Sequence, residues 1–130
     1  MTTTLDGLGA SITSKVALAG ADLVAELADT GGTLGGAVPV LLGQIWVDGS
    51  SPTGVPAWNY WLDPAQTVVF HDGNATPGPP IGPVPMTFGP VSVPPGLAGF
   101  VLRLQGFGLT PAAVNGQFAA SRAVDHHFVD

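Results

Sequence analysis

The ten residues from Val38 to Val47, VPVLLGQIWV, decide how this chain is read. As a strand they place Val40, Leu42 and Trp46 on one side and Leu41, Ile45 and Val47 on the other, because successive side chains point to opposite faces. Apolar residues on both sides predict a strand covered on both faces, near the centre of a sheet. Pro39 has no N–H to give to a ladder, so it belongs at a strand end or an edge.

Working outward, Phe100 to Phe107 (FVLRLQGF) reads as a second strong strand, with Phe100, Leu102 and Leu104 towards a core. The stretch Ala119 to Val129 alternates too, with Val124, His126 and Phe128 on one face. Ile12 to Leu18 sets Ile12, Val16 and Leu18 against Thr13 and Lys15, the pattern of a half-buried strand. Ala21 to Ala28 (ADLVAELA) is rich in helix formers, yet Leu23, Ala25 and Leu27 alternate with Asp22 and Glu26, and we read it as a strand. Two shorter strands are expected at Trp58 to Leu62 and Thr67 to Phe70, on either side of Asp63-Pro64. Asp48-Gly49-Ser50 and Asp72-Gly73 carry turn chemistry, and the glycine-rich TGGTLGG at 30–36 reads as a flexible connection. Residues 77–95 hold eight of the thirteen prolines, so that stretch can contribute only edge pairing.

The sum is about seven or eight strands and no helix, an all-β chain whose pattern fits an antiparallel β-sandwich. Its 130 residues suit one domain with a core of its own. Residues 1–10, small and almost uncharged, read as a flexible arm, and 11–130 as a single sandwich. Glycine and proline make up about a quarter of the chain, as in some disordered segments. Disordered chains, however, are poor in large apolar residues and rich in charge, and this one is the reverse. No internal repeat suggests a solenoid or propeller.

Charge narrows the function. Lys15, Arg103 and Arg122 are the only lysine and arginines, against eight aspartates and Glu26, and the net charge is −6. Three separated cations cannot build the basic face that phosphate backbones require, so nucleic acid is excluded as a partner. No apolar run reaches the length of a membrane span, so insertion is not expected either. With so little charge, much of the surface must be neutral, and sheet edges lack the charged guards that discourage association. There is no cysteine, which rules out disulfides and thiolate metal sites.

Chemistry finds no frame. No nucleophile elbow or paired-carboxylate arrangement marks a hydrolase, so the chain is read as non-enzymatic and free of cofactors. Asp125 and His127 could share one strand face as weak metal candidates, while His126 points the other way; His71 and Asp72 are further acidic and imidazole neighbours. The bland reading of that cluster, an ordinary polar strand end, is favoured. Trp58 and Tyr60, in AWNYWL, would share a strand face and could form a stacking platform for a polysaccharide. Core or rim packing is the commoner use of such rings. The turns at Asp48 and Asp72 do not match a calcium loop.

From Asp72 onward the chain runs Asp72-Gly73-Asn74-Ala75-Thr76, a proline-rich strand, VPPGLAGFVLRLQGFGLTP and VNGQFAASRAV. This resembles the Ig-like β-sandwich domains near the C-termini of large secreted proteins of planctomycetes and myxobacteria. Leu97, Gly99, Leu104, Gln105, Pro111, Gly116, Ser121 and Ala123-Val124 fit their pattern, over about residues 72–129. Arg122 departs from the usual asparagine and Thr110 from the usual aspartate. The resemblance implies an extracellular or cell-surface module, although the N-terminal MTTTLDGLGA has no export-signal pattern; a virion component is the alternative. It brings no catalytic residues. The expected function is therefore a structural or assembly subunit that binds itself or another protein through sheet edges and neutral, proline-rich surface. A carbohydrate-binding module is the second expectation.

Overall fold

The computed structural model describes residues 2–4, 12–28, 36–55, 57, 59–73 and 86–130. Among the described residues there are nine strands: β1 Thr2–Thr4, β2 Ile12–Leu18, β3 Asp22–Ala28, β4 Val38–Val47, β5 Val68–Asp72, β6 Met86–Ser92, β7 Phe100–Leu109, β8 Phe118–Ala120 and β9 Ala123–Val129. A 3-10 turn, Pro95–Leu97, precedes β7. The chain is all-β and forms two sheets. The smaller has the order β1-β3-β6, and the larger β2-β9-β7-β4-β5 with β8 also on β7.

The pairing is mixed rather than purely antiparallel. β1 runs parallel to β3 and β2 runs parallel to β9, while every other pair is antiparallel. Of the expected N-terminal arm, Thr2–Thr4 lie beside Glu26–Ala28, and residues 5–10 fall outside the described residues. The long pair at the centre is β4 with β7, in register from Val38↔Leu109 to Val47↔Phe100. β8 and β9 follow one another along the same side of β7. Between Phe107↔Ala120 and Leu104↔Val124 they hold three residues against two on β7, a β-bulge. Ser121 fills it: its N–H donates to Gly106 O at 2.8 Å and its Oγ accepts from Gly106 N–H at 3.0 Å.

The core lies between the sheets. Leu23 and Ala25 of β3 meet Leu41, Leu102, Leu104 and Phe128 of the larger sheet. Burial on β3 alternates as its sequence anticipates, with Leu23, Ala25 and Leu27 inside and Asp22, Val24 and Glu26 outside. Gly106 allows the sheets to approach, because a Cβ there would come within 2.5 Å of the Leu27 side chain. Burying these apolar side chains is the main stabilising contribution, roughly 1.5–3 kcal/mol for each large one.

Three further expectations are corrected. β4 is covered on both faces only in part, since Ile45 is 45% and Val47 58% exposed. Trp58 to Leu62 is not a strand among the described residues: Asn59 takes a positive φ of 53°, and only an isolated bridge joins Val55 and Tyr60. Ile12 to Leu18 is a strand, but its apolar residues face solvent. The parallel register Ile12↔Ala123 to Leu18↔Val129 puts Thr13, Lys15 and Ala17 on the core side, beside Val124, His126 and Phe128. Only Ala17 packs against the core cluster. Val16 is 70% exposed, Leu18 59% and Ile12 37%. The cause is architectural: a strand's faces follow from the strand it pairs with, and a one-residue slip would exchange them all.

Candidate functional site: the outer face and free edges of the larger sheet

On the side away from the core, β4 and β7 present polar side chains that are nonetheless buried. Gln44, Arg103 and Gln105 alternate with the core residues, and described residues of the connection between β4 and β5, among them Trp61 and Asp63, lie across them. Arg103 Nε donates to Asp125 Oδ1 at 2.6 Å, and Nη2 to Asp125 Oδ2 at 2.8 Å, a bidentate pair between adjacent strands. Its Nη1 donates to Trp61 O at 2.7 Å, and its guanidinium carbon sits 5.0 Å from the centre of the Trp46 ring. Gln105 accepts from Trp61 N–H at 2.9 Å and donates from Nε2 to Asn59 O and to Ser121 O. Gln44 Oε1 accepts from Asp63 N–H at 2.8 Å. Three buried polar side chains therefore satisfy main-chain groups of a segment without regular structure, the requirement for any loop held against a sheet. Leu62, from the same segment, is fully buried and anchors it by apolar packing.

The sequence-derived candidates fall beside this network. Asp125 and His127 do share the outer face of β9, but both Asp125 oxygens are held by Arg103. His127 Nδ1 lies 3.4 Å from Asp48 Oδ2. Among the described residues no group of three His, Cys, Asp or Glu side chains converges on a metal position. Tyr60 is half-buried, with its ring 5.7 Å from that of Phe107 and its hydroxyl 2.8 Å from Thr67 Oγ1. Trp58 lies outside the described residues.

His126 faces the core from β9. Its Nδ1 donates to Leu102 O at 3.2 Å, and its Nε2, like that of the buried His71, has no hydrogen-bond partner among the described residues. Burial drives its pKa down from 6.5 to about 4, with Lys15 on the neighbouring strand adding repulsion, while the Leu102 bond and Asp125 oppose the shift. At neutral pH it is an uncharged core histidine.

The edges carry the opposite chemistry. β2 ends one side of the larger sheet, and its outward face offers Ile12, Ser14, Val16 and Leu18, with Val129 of β9 beside them, 39% exposed. At the other side, β5 exposes Val68 and Val69, each at 57%. There an apolar cleft of about 190 Å3 opens between the sheets, lined by Leu23, Ile45, Val68, Phe70, Val91 and Leu102. Nothing in the sequence marks the outward turn of β2. The buried network had a weak signal, since Arg103 and Gln105 interrupt an otherwise apolar run at a spacing of two. Among the described residues no helix is long and apolar enough to cross a membrane. No protein-family model, curated protein or solved structure matches this chain.

Proposed function

We propose that the chain is a non-catalytic assembly subunit that associates through the edges of its larger sheet. The observation that carries this reading is β2, an edge strand whose apolar residues face solvent and whose only charged residue is Lys15. An exposed edge offers main-chain donors and acceptors, and natural proteins normally guard it with charge, proline or a bulge. Here the apolar row adds the surface that makes strand addition favourable. Val68 and Val69, on opposite faces of β5, add further exposed apolar surface at the other edge.

The strand order also supports an Ig-like reading of the sandwich, in which β2 runs parallel to the final strand β9 and completes the larger sheet. With the resemblance of residues 72–129 to secreted sandwich modules, this favours an extracellular or cell-surface component. Light scattering over a wide concentration range tests the assembly reading. The mass should rise to a multiple of the chain mass as concentration increases; a strict monomer at high concentration would sink the idea.

A further inference from the structure

We infer that the partner at the β2 edge is a second copy of this chain, paired antiparallel about a two-fold axis at Val16. This rests on the assembly reading and supplies its partner and register.

The direction of the backbone groups limits the choices. Ala19 N–H donates to Val129 O at 2.8 Å. Along a strand the N–H and C=O of one residue point to the same side, and successive residues alternate. Thr13, Lys15 and Ala17 thus turn their groups towards β9, as Ala19 does. Ile12, Ser14, Val16 and Leu18 turn theirs to the outer edge, where no strand is paired among the described residues. The far side of β9 agrees, because Phe128 O accepts from Gly99 N–H at 3.0 Å, on the β7 side. In a two-fold antiparallel pair, each residue that offers its groups must oppose another that does so. The axis therefore lies at a residue and not between two.

Three residues near the middle of β2 could lie on it. An axis at Lys15 would set two ammonium groups directly opposite on one face, which is unfavourable. An axis at Ser14 would carry Leu18 past the beginning of β2 in the other copy. An axis at Val16 opposes Ser14 with Leu18 and Lys15 with Ala17 within β2, and carries past its end only Ile12, the least exposed of the three outward apolar residues. It also places the strand's most exposed apolar side chain against its own copy, with Leu18 diagonal to Val16 and Ile12 of that copy.

Charge and shape favour a second copy over the β5 edge of a neighbour. β2 has no carboxylate in a chain of net charge −6, so like-charged molecules meet here with least repulsion. β5 ends in Asp72 and has a register irregularity between Leu41 and Leu42 of its partner, a feature that blunts an edge. Two-fold pairing through β2 closes after two copies, whereas β2 on β5 would run head to tail into a ring or an open filament.

The chain has no cysteine, so single cysteines report cleanly. Opposed residues in such a pair sit about 4.5–5.5 Å apart at Cα, within reach of a disulfide. Under mild oxidation Val16→Cys should form a covalent dimer. Ser14→Cys and Leu18→Cys should each stay single alone, yet join when the two variants are mixed. A native dimer in which Ser14→Cys cross-links and Val16→Cys does not would overturn the register. Oligomers with no cross-link at any of these positions would overturn the β2 edge and leave the assembly reading standing. A wild-type monomer by light scattering would overturn both.

Discussion

Strands β7 and β2 lie two positions apart in one sheet, separated only by β9, and they invert the usual placement of side chains. On β7, Arg103 and Gln105 are polar and buried, at 2% and 0% exposure. On β2, Val16 and Leu18 are apolar and mostly in water. The contrast teaches that polarity is satisfied locally, by partners, whereas apolar surface is satisfied only by being covered. Arg103 has Asp125, Trp61 O and the Trp46 ring around it. Within one chain, the row on β2 has nothing over it among the described residues.

The largest expected effect strikes the polar side of this contrast. Arg103→Ala strands the Asp125 carboxylate and should cost about 3–5 kcal/mol in denaturant unfolding. Replacing the pair together, Arg103→Met with Asp125→Leu, should recover most of that loss, since a buried ion pair is worth little more than well-packed apolar groups. If the double variant is no more stable than the single one, the loss does not come from an orphaned charge.

Acid probes the core beside it. His126 binds its proton more weakly in the folded chain than in the unfolded one, so unfolding takes up a proton between pH 6.5 and about 4. The stability it contributes is complete above about pH 6.5 and is lost as pH falls towards 4, by about 3 kcal/mol in all. Carboxylates titrate in part of the same window, so the decisive quantity is the difference between wild type and His126→Gln. The variant should show a shallower decline with falling pH; equal slopes would remove His126 from the explanation.

Gln105→Ala is the next largest. It withdraws the partners of Trp61 N–H, Asn59 O and Ser121 O, and should cost about 1–3 kcal/mol. Hydrogen exchange should quicken around residues 59–61 before the rest of the domain is affected. A uniform change across the sheet would show that Gln105 is not a local tie.

The smallest effect on stability falls on the apolar side. Val16→Lys changes an exposed side chain and should move the unfolding free energy by no more than about 0.5 kcal/mol. Its effect on mass should be complete, since it sets two ammonium groups opposite one another at the axis. Unchanged oligomers in this variant would separate exposure from association.

The alternation of Leu23, Ala25 and Leu27, and the two-sided burial of β7, were legible because burial there follows directly from strand periodicity, whereas on β4 the two-sided apolar run overstated the cover, since Ile45 and Val47 are exposed. The outward face of β2 was not. Thr13, Lys15 and Ala17 are a less apolar set than Ile12, Val16 and Leu18, and only the register against Ala123–Val129 decides which set turns inward. The polar network was half visible. Arg103 and Gln105 stand out in FVLRLQGF, but their hydrogen-bond partners lie up to 52 residues away and are largely main-chain atoms, which carry no sequence signal. The expected strand at Trp58 to Leu62 failed for a related reason: tethering by Gln105 and Arg103 holds that segment in place without a ladder.

Residue-resolved amide exchange of β2, at high and low protein concentration, tests the association most directly. Thr13, Lys15 and Ala17 turn their N–H groups into the sheet and should be protected at both concentrations. Ser14, Val16 and Leu18 should be protected at high concentration and exchange quickly on dilution. Rapid exchange of those three amides at every concentration, with their neighbours protected, would contradict pairing through this edge.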